Sequence, residues 1–301
     1  MPGLSLRQRW FDAPTTGHRP RRAAYALPTL FTAGNIFLGF LSVMQSVEGA
    51  MVAHDGTAGA EHHFLVAALA IGLAFLLDGL DGRIARMTNT VSEFGREMDS
   101  LADVITFGIA PGVLAFSWGV FFVNQTVGPP VDPRVFQYLR QAGYFCAFLF
   151  LICGALRLAR FNIQKNPMPK NPGRSDRKYF VGLPIPAGAA LVASIVYVSD
   201  STPLDDWRKA AGWLALLALL AFLMVSTWRY PSFKDVHLTR PRSPVTIVLY
   251  AAAIYLVWNF PQPAVFGMSV AYVLSGIVIR IGGLVRRRMR PPPPRPEHQI
   301  G

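Results

Sequence analysis

Long apolar runs, parted by short polar stretches, set the pattern of this chain. Eight runs can be marked, at about residues 27–48, 63–86, 98–123, 141–161, 183–199, 210–228, 244–260 and 264–285. Most approach the ~20 residues that a helix needs to cross the hydrocarbon core of a bilayer. The fifth and seventh are short. The pattern predicts an all-α fold, a polytopic transmembrane helical bundle of about eight spans. Residues 1–26 are polar and basic, with Arg7, Arg9, Arg19, Arg21 and Arg22, and no apolar core with a small-residue cleavage site follows the form of a signal peptide. They read as a retained basic arm. Beyond the last run, RRRMRPPPPRPEHQIG is a basic stretch followed by polyproline, expected to stay extended and disordered. The expected division is therefore an arm at 1–26, one membrane domain at 27–285 and a tail at 286–301.

Composition supports the membrane reading. Of 301 residues 52% are hydrophobic and only 15% are charged, where about 25% is usual for soluble domains. Mean hydropathy is +0.33. These values exclude a soluble globular enzyme, a disordered chain, a collagen and a disulfide scaffold. A net charge of +12 would suggest nucleic acid on a soluble chain. Here the positions of the charges redirect it. The 29 Lys and Arg gather at alternate span ends, leaving only Arg134, Arg140, Arg208 and Lys209 at the others. That asymmetry predicts both termini on the cytoplasmic side of the cytoplasmic (inner) membrane, with no nucleic-acid partner. The outer loop at 48–62, with Glu48, Asp55, Glu61, His62 and His63 around it, reads as solvated. Cys146 and Cys153 share one apolar run and read as buried thiols that pack as small hydrophobes.

Candidate chemistry lies where the second run ends, in LLDGLDGRIARMTNTVSEFGREMDSLAD. Asp78 and Asp81 are three residues apart and share a helix face; Asp99 and Asp103 are four apart and share a face of the next helix. Thr90 with Glu93 reads as a capping box that opens the third span. A short turn between two antiparallel helices lets both acidic faces point at one site. Carboxylates at membrane depth are costly and mark function. Four together need compensating charge, and an all-oxygen donor set favours Mg²⁺, Mn²⁺ or Ca²⁺. Two such ions would suit a phosphoryl substrate. Gly82 and Gly95 would let a nucleotide approach the backbone, and Arg86 could hold a phosphate through a bidentate fork. A cation transporter with an acidic site is the non-enzymatic alternative.

The same residues resemble the signature of the CDP-alcohol phosphotransferases, D-x2-D-G-x2-A-R-x8-G-x3-D-x3-D. Here it reads Asp78, Asp81, Gly82, Ala85, Arg86, Gly95, Asp99 and Asp103, with every element in place. The resemblance implies a six-helix core, often in homodimers, with two further spans added here. It implies transfer of a phosphatidyl group from CDP-diacylglycerol to an alcohol, with release of CMP. It also implies that Asp78, Asp81 and Asp99 mainly bind two Mg²⁺ or Mn²⁺ ions, with Asp103 beside them as the general base. Gly82, Ala85, Arg86 and Gly95 would then contact CDP-diacylglycerol.

Other segments bear on the acceptor. LPTLFTAGNIFLGF, SLADVITFGIAPG, CGALRLARFN and YFVGLPIP are together similar to the branch of the family that uses L-serine. Arg157 and Arg160, on one face of the fourth span, could pair the serine carboxylate and a lipid phosphate, with Asn162 beside them. They could equally anchor the span at the interface. Thr32 and Asn35 could bond the cytidine or ribose, or other helices. Glycerol 3-phosphate, inositol, inositol phosphate and choline remain alternative acceptors. Choline would need an aromatic cage, for which Phe161 and Tyr179 are candidates. Pro111 is expected to kink the third span, and Pro184 and Pro186 to shape the start of the fifth.

Overall fold

Each of the eight apolar runs lies in helix. The computed structural model of the chain describes residues 22–54, 58–87, 93–123, 132–165, 179–231 and 244–288. In order the elements are α1 (Arg22–His54), α2 (Ala60–Met87), α3 (Glu93–Val104), a π-helical turn (Ile105–Ile109) and α4 (Ala110–Gly119). Then come α5 (Pro133–Lys165), β1 (Tyr179–Val181), α6 (Ile185–Val198), α7 (Trp207–Val225), β2 (Arg229–Pro231), α8 (Pro244–Asn259) and α9 (Pro261–Arg288). Among the described residues, six helical stretches are long and apolar enough to cross a bilayer. The chain is an integral membrane protein built as a helical bundle. The arm before residue 22, the tail after 288 and the capping pair's Thr90 lie outside the described residues.

Burial is arranged around α4, where eight of ten residues are buried, Leu114 and Trp118 among them. It is wrapped by α1, α2, α5 and α6. Phe64 and Ile71 of α2, Phe150 of α5, Val192 of α6 and Leu217 of α7 complete the core. Between them sit Ala67, Ala68, Ala74, Ala110, Ala115, Ala189 and Ala193. Small side chains let helices in lipid approach closely, where van der Waals contact rather than water exclusion holds them together. Trp213 of α7 donates its indole N–H to the Ala115 carbonyl, 2.9 Å away. The outer surface is apolar too. Phe37, Leu76, Phe145, Phe222, Ile254 and Trp258 are all exposed, which suits contact with acyl chains. Cys146 and Cys153 are free and buried, as expected.

The third span is one rod of two α-helices joined by the π turn. Proline at 111 has no N–H for the carbonyl four residues back, and its ring crowds that carbonyl. The π turn just before it widens the helix and absorbs the conflict. In place of the kink expected at Pro111, the span carries the π turn at Ile105–Ile109, two residues past Asp103. At the start of α6, Pro184 caps the helix and Pro186 occupies its first turn, as expected.

Two features depart from the expectations. First, α1 runs to His54, so Glu48 stands on a helix and not in a solvated loop. His63 Nδ1 of α2 donates to Oε1 of the neighbouring Gln45 at 2.8 Å, and Glu48 is 3.8 Å from the same nitrogen. Polar groups at the ends of two packed helices found each other. Second, the bundle carries a small ribbon. β1 pairs antiparallel with β2, Phe180 opposite Tyr230. Gly182, with φ of 79°, turns the chain from β1 into α6. Its N–H bonds the Trp228 carbonyl at 2.8 Å, and a Cβ there would collide with the Met224 carbonyl. The ribbon ties the entry of α6 to the exit of α7.

Candidate active site

Three of the four signature aspartates converge. Each of Asp78, Asp99 and Asp103 offers a carboxylate oxygen within 4.8 Å of the others'. Asp78 comes from α2 and the other two from adjacent turns of α3. The two helices bring carboxylates together without close backbone packing among the described residues. Asp81 lies on the same helix, one turn from Asp78, but its side chain is outside the described residues, as are those of Ala85 and Arg86 and the surroundings of Gly82. Gly95 lies on α3, one turn before Asp99 and half-buried.

Asp103 is 9% exposed, and its Oδ1 has no hydrogen-bond partner among the described residues. A buried carboxylate oxygen without a donor is expensive. A hard divalent cation between carboxylates would satisfy it, and the donor set is the kind such ions take. The residues present therefore fit Mg²⁺ or Mn²⁺.

Helix α5 forms the second wall. Arg157 is half-buried, lies within electrostatic reach of Asp103 and of Tyr272 on α9, and holds Cζ 5.5 Å from the Phe161 ring centre. Arg160, expected beside it, is exposed. A three-residue step turns the helix by about 300°, which separates the two around the edge of one face. Asn162 is committed to the scaffold. Its side-chain amide donates to Ser100 Oγ at 2.8 Å, and Ser100 donates in turn to the Arg96 carbonyl at 2.9 Å. Phe161, a candidate for a choline cage, faces the Arg157 cation instead. A second cation there would be repelled. The other cage candidate, the Tyr179 side chain, lies outside the described residues.

Helix α1 forms the third wall. Thr32 and Asn35 are 6% and 3% exposed. Thr106, one turn past Asp103, donates its hydroxyl to the Asn35 carbonyl at 3.0 Å. Asn35 Oδ1 is buried with no partner among the described residues. Both readings of Asn35 thus have a part in it: its backbone joins the helices, and its side chain keeps an acceptor to spare.

Ser100, Thr106 and Tyr272 were not among the expected site residues. Ser100 could have been noticed between Asp99 and Asp103. Tyr272 is one aromatic in an apolar run and has no local signal.

Comparison with known proteins agrees with this arrangement. A family model described as CDP-alcohol phosphatidyltransferase matches residues 25–225. A CDP-diacylglycerol–serine O-phosphatidyltransferase from Helicobacter pylori is 36% identical over 259 residues, covering 86% of this chain and 92% of its own. One of the same name from Bacillus subtilis is 33% identical, covering 69% of this chain and 91% of its own. An archaetidylserine synthase from Methanothermobacter thermautotrophicus is 32% identical, covering 68% and 70%. With three signature aspartates converging at one site and the match running over more than half its length, the chain belongs to the CDP-alcohol phosphatidyltransferase family.

Proposed function

We propose that the protein transfers the phosphatidyl group of CDP-diacylglycerol to the hydroxyl of L-serine, giving phosphatidylserine and CMP. The observation that carries this is the meeting of Asp78, Asp99 and Asp103 with a half-buried Arg157 in reach of Asp103. The names of the relatives that cover most of this chain favour serine as acceptor.

CDP-diacylglycerol enters sideways from the bilayer, its acyl chains staying in lipid. Asp78, Asp81, Asp99 and Asp103 would hold two Mg²⁺ or Mn²⁺ ions, which supply Lewis-acid charge to the pyrophosphate. Gly82, Ala85, Arg86 and Gly95, as members of the signature, are assigned to contact with CDP-diacylglycerol, and Thr32 and Asn35 of α1 offer polar groups to the cytidine or ribose. Arg157 pairs the serine carboxylate. Arg160, being exposed, is assigned to lipid phosphate at the interface. Asp103 takes the proton from the serine hydroxyl. The serine oxygen bonds to the phosphorus that carries diacylglycerol, and the bond from that phosphorus to the CMP oxygen breaks, the electron pair leaving with CMP. The reading places the site at the cytoplasmic face of the inner membrane, both termini on that side, with two copies forming a homodimer.

The test is CMP release by purified protein in detergent, with CDP-diacylglycerol and Mn²⁺ or Mg²⁺, comparing L-serine, glycerol 3-phosphate, inositol, inositol phosphate and choline. Release with serine alone is expected. Release with another acceptor would move the assignment, and no release from folded protein would remove the transferase reading.

A further inference from the structure

Thr106 sits in the π turn, fully buried, and its hydroxyl crosses to another helix. A threonine inside a helix commonly returns its hydroxyl to a carbonyl one turn back. This one donates instead to the Asn35 carbonyl of α1 at 3.0 Å. That carbonyl has two lone pairs and can also take the helical N–H of Gly39. Gly39 makes the approach possible, since a Cβ there would lie 2.6 Å from Thr106 Oγ1 and 2.8 Å from Thr106 Cα. On the other side of the turn, a Cβ at Gly108 would lie 2.8 Å from Leu151 Cδ1 of α5. The turn is thus gripped between α1 and α5, and the hydroxyl of its single polar residue goes to α1. Helices bend at π turns, so this one is the joint of the third span. Asp99 and Asp103 stand on one side of it and the buried α4 on the other. Holding the joint therefore aims the two carboxylates at Asp78 of α2, where all three meet within 4.8 Å.

We propose that Thr106 is a positioning residue for the acidic cluster: by pinning the π turn to the Asn35 carbonyl, it holds Asp99 and Asp103 where they can share a divalent cation with Asp78. Without the bond, the half of the span that carries the aspartates can swing at the joint. Only a fraction of the molecules then presents three convergent carboxylates, and cation affinity falls by that fraction. Helix α1 packs against α2 and against the π turn alike, so the bond ties together the two helices that supply the carboxylates. This rests on the reading of the cluster as a Mg²⁺ or Mn²⁺ site. It gives α1 a task in metal binding, although none of the three converging carboxylates comes from it.

The experiment is thermal unfolding of the full chain in detergent across a Mn²⁺ titration, with CMP release measured beside it. Thr106→Val keeps the branched shape and removes the hydroxyl. The Mn²⁺ concentration for half-maximal stabilisation should rise about three- to tenfold, the scale of one net hydrogen bond. The Mn²⁺ concentration for half-maximal CMP release should rise in step, while the serine KM stays near the parent's. Thr106→Ser keeps the hydroxyl and should bind Mn²⁺ as the parent does. Gly39→Ala forces α1 away from an intact Thr106 and should weaken Mn²⁺ binding as Thr106→Val does. If Thr106→Val does not fold, Thr106→Ala is judged by the same criteria. A Thr106→Val midpoint within twofold of the parent's, with Asp78→Asn shifted, overturns the positioning role and leaves the metal reading standing. So does a Thr106→Ser midpoint as high as that of Thr106→Val, since the hydroxyl is then not the cause. A parent that Mn²⁺ does not stabilise overturns both.

Discussion

Asn162 of α5 donates a hydrogen bond of 2.8 Å to Ser100, the residue that follows Asp99 on α3. The bond ties the helix carrying Arg157 to the helix carrying two of the aspartates. It fixes their relative height more firmly than apolar packing would, since apolar contact tolerates sliding.

If that is its role, Asn162→Leu should lower the melting temperature by about 2–4 °C, as expected for one net hydrogen bond in a chain of this size. The serine KM should change less than Arg157→Lys changes it. Thermal unfolding in detergent, paired with serine titrations, decides it. A large rise in serine KM with unchanged melting would return Asn162 to the acceptor pocket.

Asp103→Asn keeps the shape of the side chain and removes the proton acceptor. Turnover should fall by about 10²–10⁴-fold, while the fold and CDP-diacylglycerol binding persist. CMP release and a binding assay with labelled CDP-diacylglycerol measure the two separately. Near-parental turnover would take Asp103 out of the base role.

Asp78 has a different task in the same cluster. Asp78→Asn should raise the Mn²⁺ concentration for half-maximal activity by at least about tenfold, the loss that even an outer-shell partner of a metal can cause. It should also weaken the thermal stabilisation that Mn²⁺ gives the folded chain. This second readout does not depend on turnover. An unchanged Mn²⁺ titration would count against ligation.

The Tyr230 phenol is pushed up to about 12, by burial first and by Tyr272 second. In an unfolded chain it would ionise near about 10. Between these values the folded protein holds a proton that the unfolded chain gives up. Stability from this group is therefore level below pH ~10 and declines as pH rises toward ~12. Comparing alkaline melting curves of the parent and Tyr230→Phe isolates the contribution. The variant should lose stability less steeply over that window.

The bundle could be read from the chain because a bilayer imposes a length on apolar runs, and each run became helix. The aspartate cluster could be read because i, i+3 and i, i+4 spacings survive folding unchanged. What escaped was set by contacts distant in sequence. The two strands of three residues each are too short for periodicity to register, and they pair across some fifty residues. Tyr272 stands beside Tyr230 and Pro231, some forty residues away along the chain. Asn162 had a polar side chain at the right depth, and its spacing alone could not say whether substrate or Ser100 would use it. Arg160 shared a nominal face with Arg157, but a three-residue step was enough to carry it outward.

The π turn after Asp103 has a meaning in terms of helical phase. An added residue within a helix rotates everything on one side of it by about 100° relative to the unbroken screw. The buried surface of α4 can therefore be set by its fit in the core, while the heading of Asp99 and Asp103 is set by the offset. The two halves of one span are indexed separately. Sequence drift in the packing half can proceed without turning the carboxylates away from their partner on α2.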